Sequence, residues 1–419
     1  MHDLATSLGR EFYFRFDELG KETKVGVKTR HLSFSMLSDP LSENFDVFGR
    51  VKFLRTFLLV NLRESPFHSE EAVRLIMLNL KYVRVLSFNE FSGLDALPDS
   101  IGTAFPSLKY LRNYPLPWKI FGLKEVMWSP CLRPSPTAAA YSFLGDCLPA
   151  SLTQLTIFNC NKLHFSNKNE DHDFLPSLPL DIFINLNKLH IYNCENIGCV
   201  TVSQSLPKLA SFSIVKCPNF VSFPTQGLPA PNLFQFTISD CNKLESLPSH
   251  MNTLLPKLEY LYIDDCPEIE SFPEGGMPPS LRTLWITNCH KLLGSPSLAS
   301  MDMLSELHIR GPCEEVNSFP KEGLALLPPS LTVLELYSLQ NVETLECKGL
   351  LHLTSLQRLT IRECPKLENM VGERLPASLI KLQIYGCPLL QQRCRMKHLQ
   401  IWPKISYIRG IQIEGKWFP

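Results

Sequence analysis

Charge of either sign cancels in this 419-residue chain: 41 lysines and arginines meet 41 aspartates and glutamates, giving a formal net charge of zero. That removes the electrostatic footprint expected of a nucleic-acid or anionic-membrane binder. No apolar run approaches the ~18 residues a membrane-spanning helix needs; the best, FLLVNL at 57–62, has the length of a strand. No Asn-x-Ser/Thr sequon occurs. The opening MHDLATSLGREFYFRFDELG is broken by Asp3, Arg10 and Glu11 where a secretory signal would be continuously apolar. A soluble protein of the cytoplasm is the expectation. Close cysteine pairs are missing too: none of the 14 cysteines forms a C-x-x-C, which argues against a zinc site or a disulfide framework. With no G-x-x-x-x-G-K-[ST] loop anywhere, the chain has no backbone cradle for a nucleotide's phosphates.

What is present is one phrase, restated: LTQLTIFNC, LNKLHIYNC, LASFSIVKC, LFQFTISDC, LEYLYIDDC, LRTLWITNC, LQRLTIREC and LIKLQIYGC. Three apolar positions at i, i+3 and i+5, then cysteine at i+8, is the leucine-rich-repeat consensus, whose period is about 20 to 29 residues. First positions fall at Leu152, Leu186, Leu209, Leu233, Leu258, Leu281, Leu304, Leu331, Leu356 and Leu379, mostly 23 to 25 residues apart. Within a unit the apolar and variable residues alternate with period two, the mark of a strand with one buried and one open face. After the cysteine come NKLESLP, PEIESFP, PNFVSFP and EEVNSFP, whose two further apolar residues and terminal proline predict a short irregular or helical turn. The fold class is therefore an α/β repeat: a horseshoe solenoid with a parallel concave sheet and a convex wall of loops and short helices.

The cysteines acquire a meaning from this register. Cys160, Cys194, Cys217, Cys241, Cys266, Cys289, Cys364 and Cys387 share one offset, with Cys313 displaced by one residue. Each reads as a small buried apolar group whose weak S–H donor satisfies a backbone carbonyl where the strand turns into the loop. Inward-facing thiols of this kind are not nucleophiles.

Regularity varies along the chain. RHLSF at 30–34, FLRTFLLV at 53–60 and VRVLSFNEFSGLDALPDSIG at 83–102 read as degenerate repeats, and SLKYLRNYP at 107–115 begins another. The expected organisation is 1–28 as a short leading segment, 29–113 as degenerate repeats, 114–149 as a Pro-rich insertion or loop, 150–395 as regular repeats and 396–419 as a C-terminal cap. An interval of 34 residues after Leu152 carries FSNKNEDHDFLPSLPLD, a predicted loop.

Residues two, four and six places after each first leucine face out from the strands. Aromatic and arginine side chains there are what protein interfaces favour, although strand propensity alone also enriches aromatics. Tyr260, Tyr262 and Trp285, on adjacent rungs with Asp264 and Asp265 at their edge, are the leading candidates. Tyr192, Tyr337 and Tyr385 belong to the same set, and Arg310, Arg358 and Arg362 form a more basic stretch. His190 and His308 occupy open strand positions several rungs apart, and no nucleophile sits in a recognisable turn, so the expectation is binding without catalysis, metal or cofactor.

Three further features give the chain a likeness. Met1-His2-Asp3-Leu4 matches a Met-His-Asp motif, TRHLSF and FLRTFL match a repeat entry, and LxIxxCPxLExxP is a late-repeat style followed by the tail CPLLQQRC and WPKISYIRGIQIEGKW. In this order they resemble the C-terminal part of plant nucleotide-binding leucine-rich-repeat disease-resistance proteins of the coiled-coil class. The resemblance implies recognition of a pathogen effector, or of the receptor's own nucleotide-binding module, during defence in the cytoplasm. It also implies that 1–28 is the end of a nucleotide-binding module, in which His2 and Asp3 are a motif remnant and bind nothing alone. Two rival readings stand beside it. One is a repeat scaffold or ubiquitin-ligase substrate adaptor, for which 1–28 is too brief and too charged to supply a docking helix. The other is a truncated gene product beginning at the Met-His-Asp motif.

Overall fold

In the computed structural model the described residues are 12–16, 27–34, 51, 53–59, 81–89, 110–114, 151–158 and 177–418, the last span apart from 196, 274, 290, 293–295, 312–316 and 321–326. His2, Asp3, the 115–149 stretch, Cys160 and Cys313 lie outside them. The chain divides into two compact units, Met1–Ser213 and Ile214–Pro419.

The first unit holds β1 (Tyr13–Phe16), β2 (His31–Phe34), β3 (Thr56–Leu59), β4 (Val85–Asn89), β5 (Tyr110–Tyr114), β6 (Gln154–Phe158), β7 (Ser177–Pro179), β8 (Lys188–Tyr192) and β9 (Cys199–Thr201). Parallel pairing runs β1–β2–β3–β4–β5–β6–β8, with β1 inside 1–28. β5 and β6 are direct neighbours, with Tyr110 opposite Gln154. β10 (Ser211–Val215) spans the point at which the chain passes from one unit to the other.

In the second unit are β11 (Gln235–Ser239), β12 (Tyr260–Asp264), β13 (Thr283–Thr287), β14 (Glu306–Arg310), β15 (Ser318–Phe319), β16 (Val333–Tyr337), β17 (Thr344–Glu346), β18 (Arg358–Arg362), β19 (Asn369–Val371), β20 (Lys381–Tyr385), β21 (Gly410–Ile413) and β22 (Lys416–Phe418). The parallel ladder is β11–β12–β13–β14–β16–β18–β20–β21, and β22 turns back antiparallel along β21. Register follows the repeat letter by letter. Leu261, Leu284, Leu307, Leu334, Leu359, Leu382 and Ile411 stack in one column, and Ile263, Ile286, Ile309, Leu336, Ile361, Ile384 and Ile413 in the next. Both columns are buried. At about 1.5–3 kcal/mol per fully buried Leu or Ile, each rung contributes enough apolar burial to offset much of the ordering entropy of its strand. Neighbour stacking, rather than a central core, carries the fold.

Two details close each rung. The residue after the strand has positive φ at Asp240, Asp265, Asn288, Gly311, Ser338, Glu363 and Gly386, mostly the residue types that tolerate this region. At all of these but Gly386 its N–H donates to the last strand residue of the following rung, as from Asp240 to Asp264 O and from Asp265 to Thr287 O; the Gly386 N–H donates to Glu414 Oε1. The cysteine follows. Cys194, Cys217, Cys241, Cys266, Cys289, Cys364 and Cys387 are buried, and each S–H reaches the carbonyl two residues back at 3.1–3.5 Å. The expected thiol-to-carbonyl contact is thus found at all seven.

The far side differs from the expected turns. Beyond short 3-10 turns and helices, the second unit contains a further parallel ladder, β15–β17–β19, and the first unit a two-stranded one, β7–β9. The repeat spacing brings SF, TLE and NMV into register, so their backbone groups pair with one another instead of closing local turns. After β20 come a helix at Pro388–Arg395, with proline at its start, and a single turn at Trp402–Ile405. β21 extends the parallel ladder into the 396–419 span. Among the described residues no helix is long and apolar enough to cross a membrane.

Candidate interaction face

Because β-strand side chains alternate, each rung of the second unit presents three residues on its open face, and parallel register aligns them into rows. The first row reads Gln235, Tyr260, Thr283, Glu306, Val333, Arg358 and Lys381; the middle row Thr237, Tyr262, Trp285, His308, Glu335, Thr360 and Gln383; the last row Ser239, Asp264, Thr287, Arg310, Tyr337, Arg362 and Tyr385. Tyr260, Tyr262 and Trp285 are brought together on adjacent rungs, as the repeat alignment predicts.

The middle row forms a continuous stack. Tyr262 and Trp285 have ring centroids 5.9 Å apart with planes 23° from parallel, and Trp285 and His308 lie 3.7 Å apart at 6°. His308 Nδ1 reaches Glu335 Oε2 at 3.1 Å, while Nε2 stands 3.6 Å from Glu306 Oε2. That hydrogen bond is the main cause holding the Glu335 carboxyl below its ordinary value, with Arg362 and Arg358 adding to it. In the first row, Phe234 leans on Tyr260 at 5.0 Å. Burial, reinforced by Tyr260 and Glu306, pushes the Tyr262 hydroxyl upward.

The expectation that all these positions stand open needs correction. His308 is only 8% exposed, and Thr283 and Thr360 are buried as well. Rungs about 4.8 Å apart place large side chains against their neighbours, so a small or flat residue beside them is covered. His308 is a support for Trp285 more than a contact residue.

Along the last row the charge changes sign. Asp264 stands beside Asp240 and Asp265; Ser239 Oγ donates to Asp240 at 2.8 Å and to Asp264 at 3.4 Å, and Asn288 Nδ2 to Asp265 at 2.5 Å. Burial first, then the charges of Asp265 and Asp240, raise the Asp264 carboxyl above its ordinary value. Further on, Arg362 is held between two rings, its guanidinium 5.3 Å from the Tyr337 centroid and 4.8 Å from that of Tyr385, with Nη1 donating to Tyr337 Oη at 2.7 Å. Arg310 and Arg358 are exposed. The stretch is less uniformly basic than expected, because Glu306 and Glu335 interleave with the arginines.

Tyr192 lies in the first unit, half-buried at the end of β8. Nearby, His190 Nδ1 bonds Ser213 Oγ, and burial with a smaller contribution from Lys188 lowers the imidazole to about 4. Among the described residues no group of three or more His, Cys, Asp or Glu is arranged to hold a metal ion. Sequence reasoning missed Phe234, Asp240 and the support from His308 and Glu335. The eighth position of the repeat, which holds both Asp240 and Asp265, is the signal that finds them.

No protein-family model matches the chain. A curated relative from Arabidopsis thaliana, "Putative disease resistance protein At3g14460", is 31% identical over 354 residues, which are 80% of this chain and 23% of that protein. The chain thus spans less than a quarter of that relative's length. Similar solved structures include the leucine-rich repeat domain of the type III effector XopL, at 19% identity and a TM-score of 0.35 over 64% of this chain and 77% of that one. Another is a leucine-rich-repeat protein of Leptospira interrogans, at 15% identity and a TM-score of 0.36 over 94% and 93%.

Proposed function

The chain is a leucine-rich-repeat region related in sequence to a plant disease resistance protein, and from that premise we propose that it is the recognition region of an intracellular plant immune receptor. Its work is to bind protein on the open face of the second unit. The observation that carries this reading is the middle-row stack of Tyr262, Trp285 and His308, fixed from behind by Glu335. Aromatic rings preset in one orientation lose little freedom on binding, which is what makes such residues anchors of protein interfaces. The chemistry of the face suits binding: two histidines on open strands sit in different units, one stacked beneath a tryptophan and the other sunk beside Ser213.

The partner class is a pathogen effector or the receptor's own nucleotide-binding module. A cytoplasmic setting suits the buried rung thiols, which stay reduced there. The test is affinity capture by the full chain from infected and uninfected leaf tissue, alongside Tyr262→Ala and Trp285→Ala. Proteins recovered by the parent and depleted about tenfold by both variants support the reading, a loss of roughly 1.4 kcal/mol. An identical set of captured proteins from all three would remove this face from the function.

A further inference from the structure

We propose that the open face of the second unit binds an extended protein segment with a basic side chain over Asp264 and Asp265 and an acidic side chain about six residues along, beside Arg362, where Arg358 on the same strand adds positive charge. The inference rests on the reading of this face as a partner-binding surface and adds the chemistry of what it takes.

The two ends of the face carry opposite charges. At one end Asp240, Asp264 and Asp265 crowd onto two adjacent rungs, contacted by the neutral donors Ser239 and Asn288. Among the described residues no lysine or arginine forms an ion pair with them. Tyr260 and Tyr262 stand on the same rung as Asp264, and aromatic faces beside a carboxylate are a receptive place for a guanidinium or ammonium. At the other end Arg358 is exposed and Arg362 is clamped flat between Tyr337 and Tyr385. Glu335, which lies close to both arginines, is already engaged by His308. Charge complementarity therefore asks for a cation at one end of the segment and a carboxylate at the other.

The spacing sets the separation. From β12 to β18 the ladder makes four steps, through β13, β14 and β16. At about 4.8 Å per step this is about 19 Å, which an extended segment covers in about six residues. An even number places both charged side chains on the same side of the segment. Between them it follows the last row past Thr287, Arg310 and Tyr337, with Trp285 beside it in the middle row as a platform for an apolar residue.

The experiment pans a random phage-displayed peptide library on the full chain, then measures enriched peptides by fluorescence anisotropy. The variants are Asp264→Asn with Asp265→Asn, Arg358→Gln with Arg362→Gln, and Trp285→Ala, each checked by circular dichroism. Enriched peptides should share a Lys or Arg and an Asp or Glu about six positions apart. Each neutralised pair should weaken binding about tenfold, and added salt should weaken it further. If Trp285→Ala abolishes binding while neither neutralised pair matters, or the peptides lack the charge pair, the segment chemistry is wrong and the face still binds. If no peptide enriches, or none responds to any of the three variants, both readings fall.

Discussion

Trp285 and His308 lie face to face on neighbouring rungs, their ring centroids 3.7 Å apart and their planes 6° from parallel. Such a pair couples two side chains 23 residues apart in sequence, because β13 and β14 are in register at these positions. Removing either ring should free the other. Trp285→Ala and His308→Ala, alone and together, should show a coupling of about 0.5–1.5 kcal/mol in the opening free energies of β13 and β14 amides. Amide hydrogen exchange reads this locally, which suits a repeat fold whose rungs need not unfold together. Additive effects would mean that the stack is a coincidence of register.

How much of this was readable beforehand depends on whether a property belongs to one repeat or to two. The buried leucine and isoleucine columns, the strand positions and the cysteine contacts repeat within each unit, so the consensus already contains them. Tyr262 beside Trp285 was readable because aligned repeats become aligned rungs. The burial of His308 was not, since its cover is Trp285 from the preceding repeat and its anchor is Glu335 from the following one. The second ladder through β15, β17 and β19 was missed for the same reason: SF, TLE and NMV are strands only beside one another.

His190 should make the first unit acid-sensitive. Its imidazole is lowered from 6.5 to about 4, chiefly by burial, so the folded state resists a proton that the unfolded chain accepts. A depressed histidine contributes stability that is fully present above pH 6.5 and is lost as pH falls toward 4. The loss is on the order of 3 kcal/mol across that window. Amide-exchange protection of β6 and β8 should fall between these pH values, and His190→Gln should flatten the dependence. An unchanged slope in the variant would move the sensitivity to another group.

The rung cysteines should resist alkylation in the folded protein. Cys194, Cys217, Cys241, Cys266, Cys289, Cys364 and Cys387 are buried, and burial pushes the Cys289 thiol up to about 12. Cys199 is half-buried and off the ladder position, so among the described cysteines it should be modified first. Timed iodoacetamide labelling with peptide mass spectrometry, with and without urea, gives the order. Early labelling of Cys289 would show that its rung opens more readily than its packing implies.

Gly227 and Gly276 separate backbone strain from steric conflict. Both have positive φ, +84° and +91°, where an L side chain is strained whatever the surroundings. A Cβ on Gly276 would meet nothing within 4 Å, so Gly276→Ala should cost only the conformational term, about 1 kcal/mol. A Cβ on Gly227 would fall 2.2 Å from Ser249 O and 2.6 Å from Leu254 Cδ1. The leucine can rotate, whereas the carbonyl belongs to the turn before the short helix at Met251–Leu254 and cannot retreat without displacing that helix. Gly227→Ala should therefore cost about 2 kcal/mol or more beyond Gly276→Ala, in the range of overpacked sites. The loss should concentrate in the amides of β11 and β12, the rungs that Gly227 and the Met251 turn lead into. Equal costs for the two variants would mean that the 249–254 turn yields, and that its position is set less firmly than the ladder it serves.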